Sequence, residues 1–200
     1  MSKDATEVRV ALTGNVWFDP DLTAEADEDI MAPPTATSKN LGFTTEDGVT
    51  FTIGRETTDI MGWQSREPLR VLVEAEPKAC AYVLRQTNRE LWLATMGGAV
   101  TTLTPAVTGP PAQPAVFRWE PDEGKLPEGR IWIDFDDELP DGVKVRYRFG
   151  FRRAAQSEAV EFNLKRSDAV NLPNNWKSLA PAGGQKSWYM DTNDPNFAAA

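Results

Sequence analysis

Apolar residues in this chain recur at every second position, a period that dictates strands in place of helices. From Val143 to Arg153, the residues Val143, Val145, Tyr147, Phe149 and Phe151 fall on one face, with Lys144, Arg146, Arg148 and Arg152 on the other. Ile131, Ile133 and Phe135 alternate as regularly with Arg130, Trp132, Asp134 and Asp136. The connector DDELPDG carries the Pro and Asp-Gly that reverse a chain, so the two runs form an antiparallel hairpin. On its polar face the aspartates of the first strand meet the arginines of the second. Each exposed pair of this kind is worth roughly 0.2–1 kcal/mol, so the alternation supplies most of the stability. Val160, Phe162 and Leu164, set against Glu161, Asn163 and Lys165, extend the pattern into a third strand and a C-terminal meander.

The N-terminal half reads in the same way. Val8, Val10, Leu12, Gly14, Val16 and Phe18 share one face of a first strand. Val49, Phe51 and Ile53 alternate with threonines after the turn-like TTEDG that ends at Gly48. Leu69, Val71, Val73 and Ala75 run up to Glu76–Pro77, after which Ala79, Ala81 and Val83 resume; the proline predicts a bulge or an edge in one long strand. One helix is expected over 87–98, with Thr87 and Glu90 at capping-box spacing, LWLATM as helix material and Gly97–Gly98 as the stop. A helix so short needs Leu91, Trp92 and Met96 to anchor it to a sheet.

Three stretches break the pattern. Asp19–Asn40 is acidic, then APPTATSKN, and reads as a mobile excursion. Leu103–Pro114, LTPAVTGPPAQP, reads as an extended linker between the halves. The segment from Asn171 is sparse in aliphatics yet keeps Trp176, Trp188, Tyr189 and Phe197. The expected fold is mainly β, an antiparallel sandwich or barrel-like domain over 1–170 with one short flanking helix and long loops. A C-terminal extension follows over 171–200.

Composition removes most chemistry. The chain has 200 residues, one cysteine and no histidine, which excludes an internal disulfide, the usual zinc sites, a histidine base and a Ser-His-Asp triad. Thirty acidic residues against 21 basic ones give a net charge of −9, so polyanions gain no counterion-release affinity here. The N-terminus lacks an apolar signal core and no run is long enough to cross a membrane as a helix, which points to a cytoplasmic site of synthesis. Asp134 with Asp136, or Asp136 with Asp137, faces an arginine-rich strand that neutralises it, and the acids at Asp27–Asp29 lack EF-hand spacing and read as a solvated loop. Gly97–Gly98 ends a helix where a phosphate loop would begin one, and Cys80 has no histidine or second cysteine beside it. No catalytic, cofactor or metal constellation emerges, and function must come from surfaces.

One stretch carries a family likeness. Leu41–Val49, Glu56–Gln64 and Leu84–Gly98 match, in order and spacing, the "lG-yvsedGv", "ettdi-aWq" and "l-etn-evl-ly-g" segments of another group of sequences. Through them the chain resembles the major tail tube proteins of long, non-contractile-tailed bacteriophages. The resemblance implies a non-enzymatic virion subunit without cofactor. Six copies would close a ring, and the rings would stack into a tube that houses the tape-measure protein and passes double-stranded DNA. Tail terminator and tail-tip proteins would be its other partners, with assembly in the host cytoplasm.

Interface candidates on this reading are Trp63, Asp47, Trp176, Trp188 and Tyr189; lumen or polar-face candidates are Asp134, Asp136 and Glu161. Trp63 has a plainer alternative, packing behind the Ile60-Met61-Gly62 turn. Asp19–Asn40 and Asn171–Ala200 would become ordered only as rings stack. Two rival readings stand beside it. A carbohydrate-binding β-sandwich would use Trp17, Trp119 or Trp132 as exposed stacking platforms, and another phage ring protein, such as a tail terminator, would form a single ring.

Overall fold

A computed structural model describes residues 8–158, 160–162, 164–166 and 169–198. The expected hairpin is its centre. Strand β9 (Glu128–Glu138) pairs antiparallel with β10 (Lys144–Gln156), setting Asp134 opposite Arg148, Asp136 opposite Arg146 and Ile133 opposite Phe149. Gly142, at φ +83°, donates its N–H to Leu139 O at 2.8 Å and closes the turn. Strand β1 (Thr13–Asp19) lies on the other side of β9, with the two-residue β2 (Lys39–Asn40) beyond it. The far edge of β10 is shared: β12 (Trp188–Thr192) pairs with Tyr147–Phe151, and β11 (Leu172–Ser178) with Ala154–Gln156. Beyond β11 come β6 (Lys78–Leu84) and β3 (Thr44–Ile53), so the sheet runs β2-β1-β9-β10-β11-β6-β3.

The sheet encloses a core of Val16, Phe18, Leu41, Leu84, Ile131, Phe151 and Trp176, all buried, with Phe18 and Trp176 rings 5.5 Å apart. Helix α1 (Arg89–Met96) adds Leu91 and Ala94 to it. Its cap differs from the sequence expectation. Asn88, not Thr87, is the N-cap, its Oδ1 accepting the Leu91 N–H at 2.7 Å. At the other end Gly97, at φ +67°, donates to Leu93 O at 2.9 Å, the stop expected of it.

Four further expectations are corrected. The first strand begins at Thr13, and Val8, Val10 and Leu12 precede it with exposed side chains. There the ladder gives way to side-chain acceptors: the Val10 N–H goes to Asp137 Oδ2 at 3.1 Å, and Arg9 clasps Asp194 near the C-terminus through two bonds of 2.6 and 2.9 Å. No strand forms among the described residues of 160–165, where Phe162 instead sits edge-on to Trp92; Asn163 lies outside the described residues. The strand that follows β10 is β11, so residues 172–178 lie inside the sheet and not in an extension. Leu103–Pro114 links no halves: it spans the far end of a hairpin formed by β7 (Ala99–Thr104) and β8 (Val116–Glu120). Val107 and Gln113 bridge its loop, which contains a cis Pro110–Pro111 bond.

A third hairpin grows out of β3 and β6. Glu76–Pro77 does more than bulge one long strand: it divides the run into two strands of different sheets, opposite Gly54–Arg55, and the Gly54 N–H donates to Pro77 O at 2.8 Å across the break. Beyond it β4 (Glu56–Met61) pairs only with β5 (Pro68–Ala75), and every residue of both strands is exposed.

Candidate assembly surfaces

The polar face of β9 and β10 is a buried charge network. Arg148 Nε and Nη2 donate to Asp134 Oδ1 and Oδ2 at 2.8 and 2.9 Å, and neither residue is more than 1% exposed. Trp17 Nε1 adds a 3.1 Å bond to Asp134. Arg146 grips Asp136 in the same two-pronged way at 2.5 and 2.8 Å, and that carboxylate raises the guanidinium above its ordinary pKa.

The excursion over 19–40 lies across this network and is pinned by it, contrary to the expected mobile, solvated loop. Arg130 reaches Leu22 O at 2.8 Å, Arg146 reaches Met31 O at 3.0 Å and Arg148 reaches Ala32 O at 2.6 Å. Asp19 Oδ2 accepts the Thr35 and Thr37 hydroxyls, both at 2.6 Å. Such charge-assisted bonds are about twice as strong as neutral ones, and together they order the segment within one chain. Asp134 is therefore an internal counter-ion and not a wall residue. Asp136 is half-buried and neutralised, and Glu161 is exposed.

The interface candidates separate as sharply. Trp176 is fully buried in the core, which removes it as a contact residue. Trp188 is half-buried against Phe51 and Phe149, with ring centroids 5.8 and 6.5 Å away. The Tyr189 hydroxyl accepts from Trp132 Nε1 at 2.8 Å, Arg152 lies 4.5 Å over its ring, and burial pushes the phenol above its usual pKa. Asp47 is exposed on a bulge of β3, where the register against β6 shifts between Thr44 and Val49. Trp63 is 99% exposed at the tip of the β4–β5 arm and packs behind no turn.

None of the tryptophans named for the glycan reading is a free platform. Trp132 is 1% exposed, Trp17 is bonded to Asp134, and Trp119 packs at a tilt against Trp92, ring centroids 5.3 Å apart, while donating to Gly97 O at 3.0 Å. The unburied apolar surface lies elsewhere. The β4–β5 arm exposes Leu69, Val71 and Val73 in alternation, and the β7–β8 arm exposes Leu103, Val116 and Phe117. The face of Leu69, Val71 and Val73 was read from sequence as an ordinary half-buried strand, because alternation marks an apolar face without saying what covers it; Leu103 was read as linker.

The sheet also ends in open edges. Among the described residues strand β3 pairs only with β6 and β2 only with β1. Unpaired edges and exposed apolar arms are the surfaces on which a chain adds copies of itself. No helix among the described residues is long and apolar enough to cross a membrane. No curated protein matches the chain. A family model described as phage tail tube protein matches residues 1–200. The chain therefore belongs to the phage tail tube protein family, as a structural component of the virion tail.

Proposed function

We propose that this chain is the repeating wall subunit of the tail tube, closing into rings of six that stack along the tail. The observation that carries the reading is the β4–β5 arm. An isolated two-stranded hairpin is marginal in water, and this one has both strands exposed and an apolar face on its own chain's outside. Such an arm is stable when a neighbouring subunit covers it. The open edge of β3 offers a second contact, by pairing with a neighbour's sheet.

Six copies at −9 each carry −54 per ring, against a duplex with one negative charge per roughly 1.7 Å of axis. A bore wall of that sign would pass DNA without binding it through counterion release, and would hold the tape-measure protein by shape. Tail terminator and tail-tip proteins would meet the same edges at the two ends of the tube. Negative-stain images of the purified, concentrated chain test the reading. Stacked rings support it. Single rings that never elongate would favour a terminator, and monomers that bind glycans would refute it.

A further inference from the structure

We infer that the arm tip bearing Trp63 docks into a pocket beside helix α1 of a second copy of this chain; the inference rests on the tube-subunit reading. The pocket is the open cleft between α1, the end of β1 and the loop 121–127, with a volume of about 630 Å³. Its apolar lining is Phe18, Leu93, Ala94, Leu126 and Pro127. Cavities of about 300–1,000 Å³ with apolar walls and a few polar groups at the rim take a ligand of two fused rings or larger. An indole fits that class, and no residue of the arm lines the pocket of its own chain.

Knob and pocket complement each other in two further ways. Trp63 offers a full indole at 99% exposure, flanked by Met61 at 57% and Leu69 at 68%, so the tip presents an apolar wedge and not a lone ring. Buried tryptophans dominate the energetics of protein contacts. Charge agrees as well. The tip, Ile60–Arg70, carries Arg66 and Arg70 against Glu67, whereas Glu56, Asp59 and Glu74 lie towards the base of the arm, so the positive excess is confined to the tip. The pocket is lined by five carboxylates, Asp21 and Glu90 among them, against three cations. Opposite local charges orient the encounter and disfavour tip-to-tip pairing.

A knob and a pocket on different parts of one chain pair either reciprocally about a two-fold axis or head to tail, and the tube reading requires the head-to-tail form, which propagates into rings or stacks. Each chain then both donates and receives.

The test uses the full-length chain with Gln64→Cys and Lys125→Cys combined, which keeps Trp63 and the apolar lining; Gln64 and Lys125 are both exposed, Lys125 lines the pocket, and the native Cys80 is buried at 1%. Oxidation of assembled material is expected to give a ladder of disulfide-linked oligomers that collapses on reduction. Mixing the two single variants should give one heterodimer band and no longer species. Trp63→Ala, at a site with no contact in its own fold, should leave the circular dichroism of the monomer unchanged and raise the concentration needed for assembly about thirty-fold or more. Tubes that form without the ladder, or a Trp63→Ala chain that assembles like the parent, would overturn the docking while leaving the tube reading intact. A parent chain that forms neither ring nor tube in parallel images would overturn the tube reading, and the docking with it.

Discussion

Replacing Asp134 separates an internal counter-ion from a wall charge. Its partner Arg148 is fully buried and is held by two bonds to Asp134 and one to Ala32 O. Removing the carboxylate by Asp134→Ala strands the guanidinium in the interior, which costs about 3–5 kcal/mol. Trp17 Nε1 loses its acceptor in the same step. For a chain of this length each kcal/mol lowers the melting temperature by about 2–4 °C, so a drop of about 6–20 °C is expected. Replacing the pair together, Asp134→Leu with Arg148→Met, takes both charges out of the interior. It should return stability to within about 2 kcal/mol of the parent, since only the Ala32 carbonyl and the Trp17 N–H are left seeking partners. Urea denaturation of Asp134→Leu, Arg148→Met and the double variant, beside the parent, completes the cycle. A cost below about 1 kcal/mol for Asp134→Ala, or a double variant no better than the single ones, would show that water reaches the pair and would return Asp134 to the surface.

Three further outcomes follow from particular contacts. Trp176→Ala, at a fully buried site against Phe18, should cost about 3–5 kcal/mol in the monomer and so register as loss of fold before any loss of assembly, by urea titration. Asn88→Ala should cost about 1 kcal/mol by removing the acceptor for the Leu91 N–H, whereas Thr87→Ala should be nearly neutral, as thermal melts of both will show. The Arg9 guanidinium, with help from the Tyr147 hydroxyl, holds the Asp194 carboxyl well below the usual carboxylate range. A depressed folded-state pKa stabilises above the unfolded value near 4 and loses that contribution as the pH falls through the folded one. Arg9→Ala should therefore flatten the acid limb of stability against pH below about 4, and an unchanged limb would contradict the clasp.

The hairpin of β9 and β10 was legible because both of its causes are local: alternation fixes the face, and Asp-Gly fixes the turn. Strand β11 was not. Its sequence LPNNWKS shows little alternation, and its inward Asn174 is made acceptable by a distant group, the Thr95 hydroxyl of α1, which donates to Asn174 Oδ1 at 3.0 Å. The excursion over 19–40 was misread for a related reason. What pins it is backbone carbonyls of Leu22, Met31 and Ala32 received by arginines more than a hundred residues away, and a carbonyl is the same in every residue. The prolines in 103–114 were read as a linker between halves because a hairpin end and a linker need the same residues. For Trp63 the sequence left two readings open, a contact residue and a ring packed behind a turn, and its 99% exposure removes the second; the pocket beside α1 left no trace in the sequence because its walls come from β1, α1 and the loop before β9.

The account turns on this chain forming the repeating wall of the tail shaft. Three-dimensional electron-microscopic images of the parent virion test that directly. The account predicts six copies per ring along the whole shaft, with each β4–β5 arm seated on another copy. Density for this chain confined to one ring at the end of the tail, or located in the head, would contradict it.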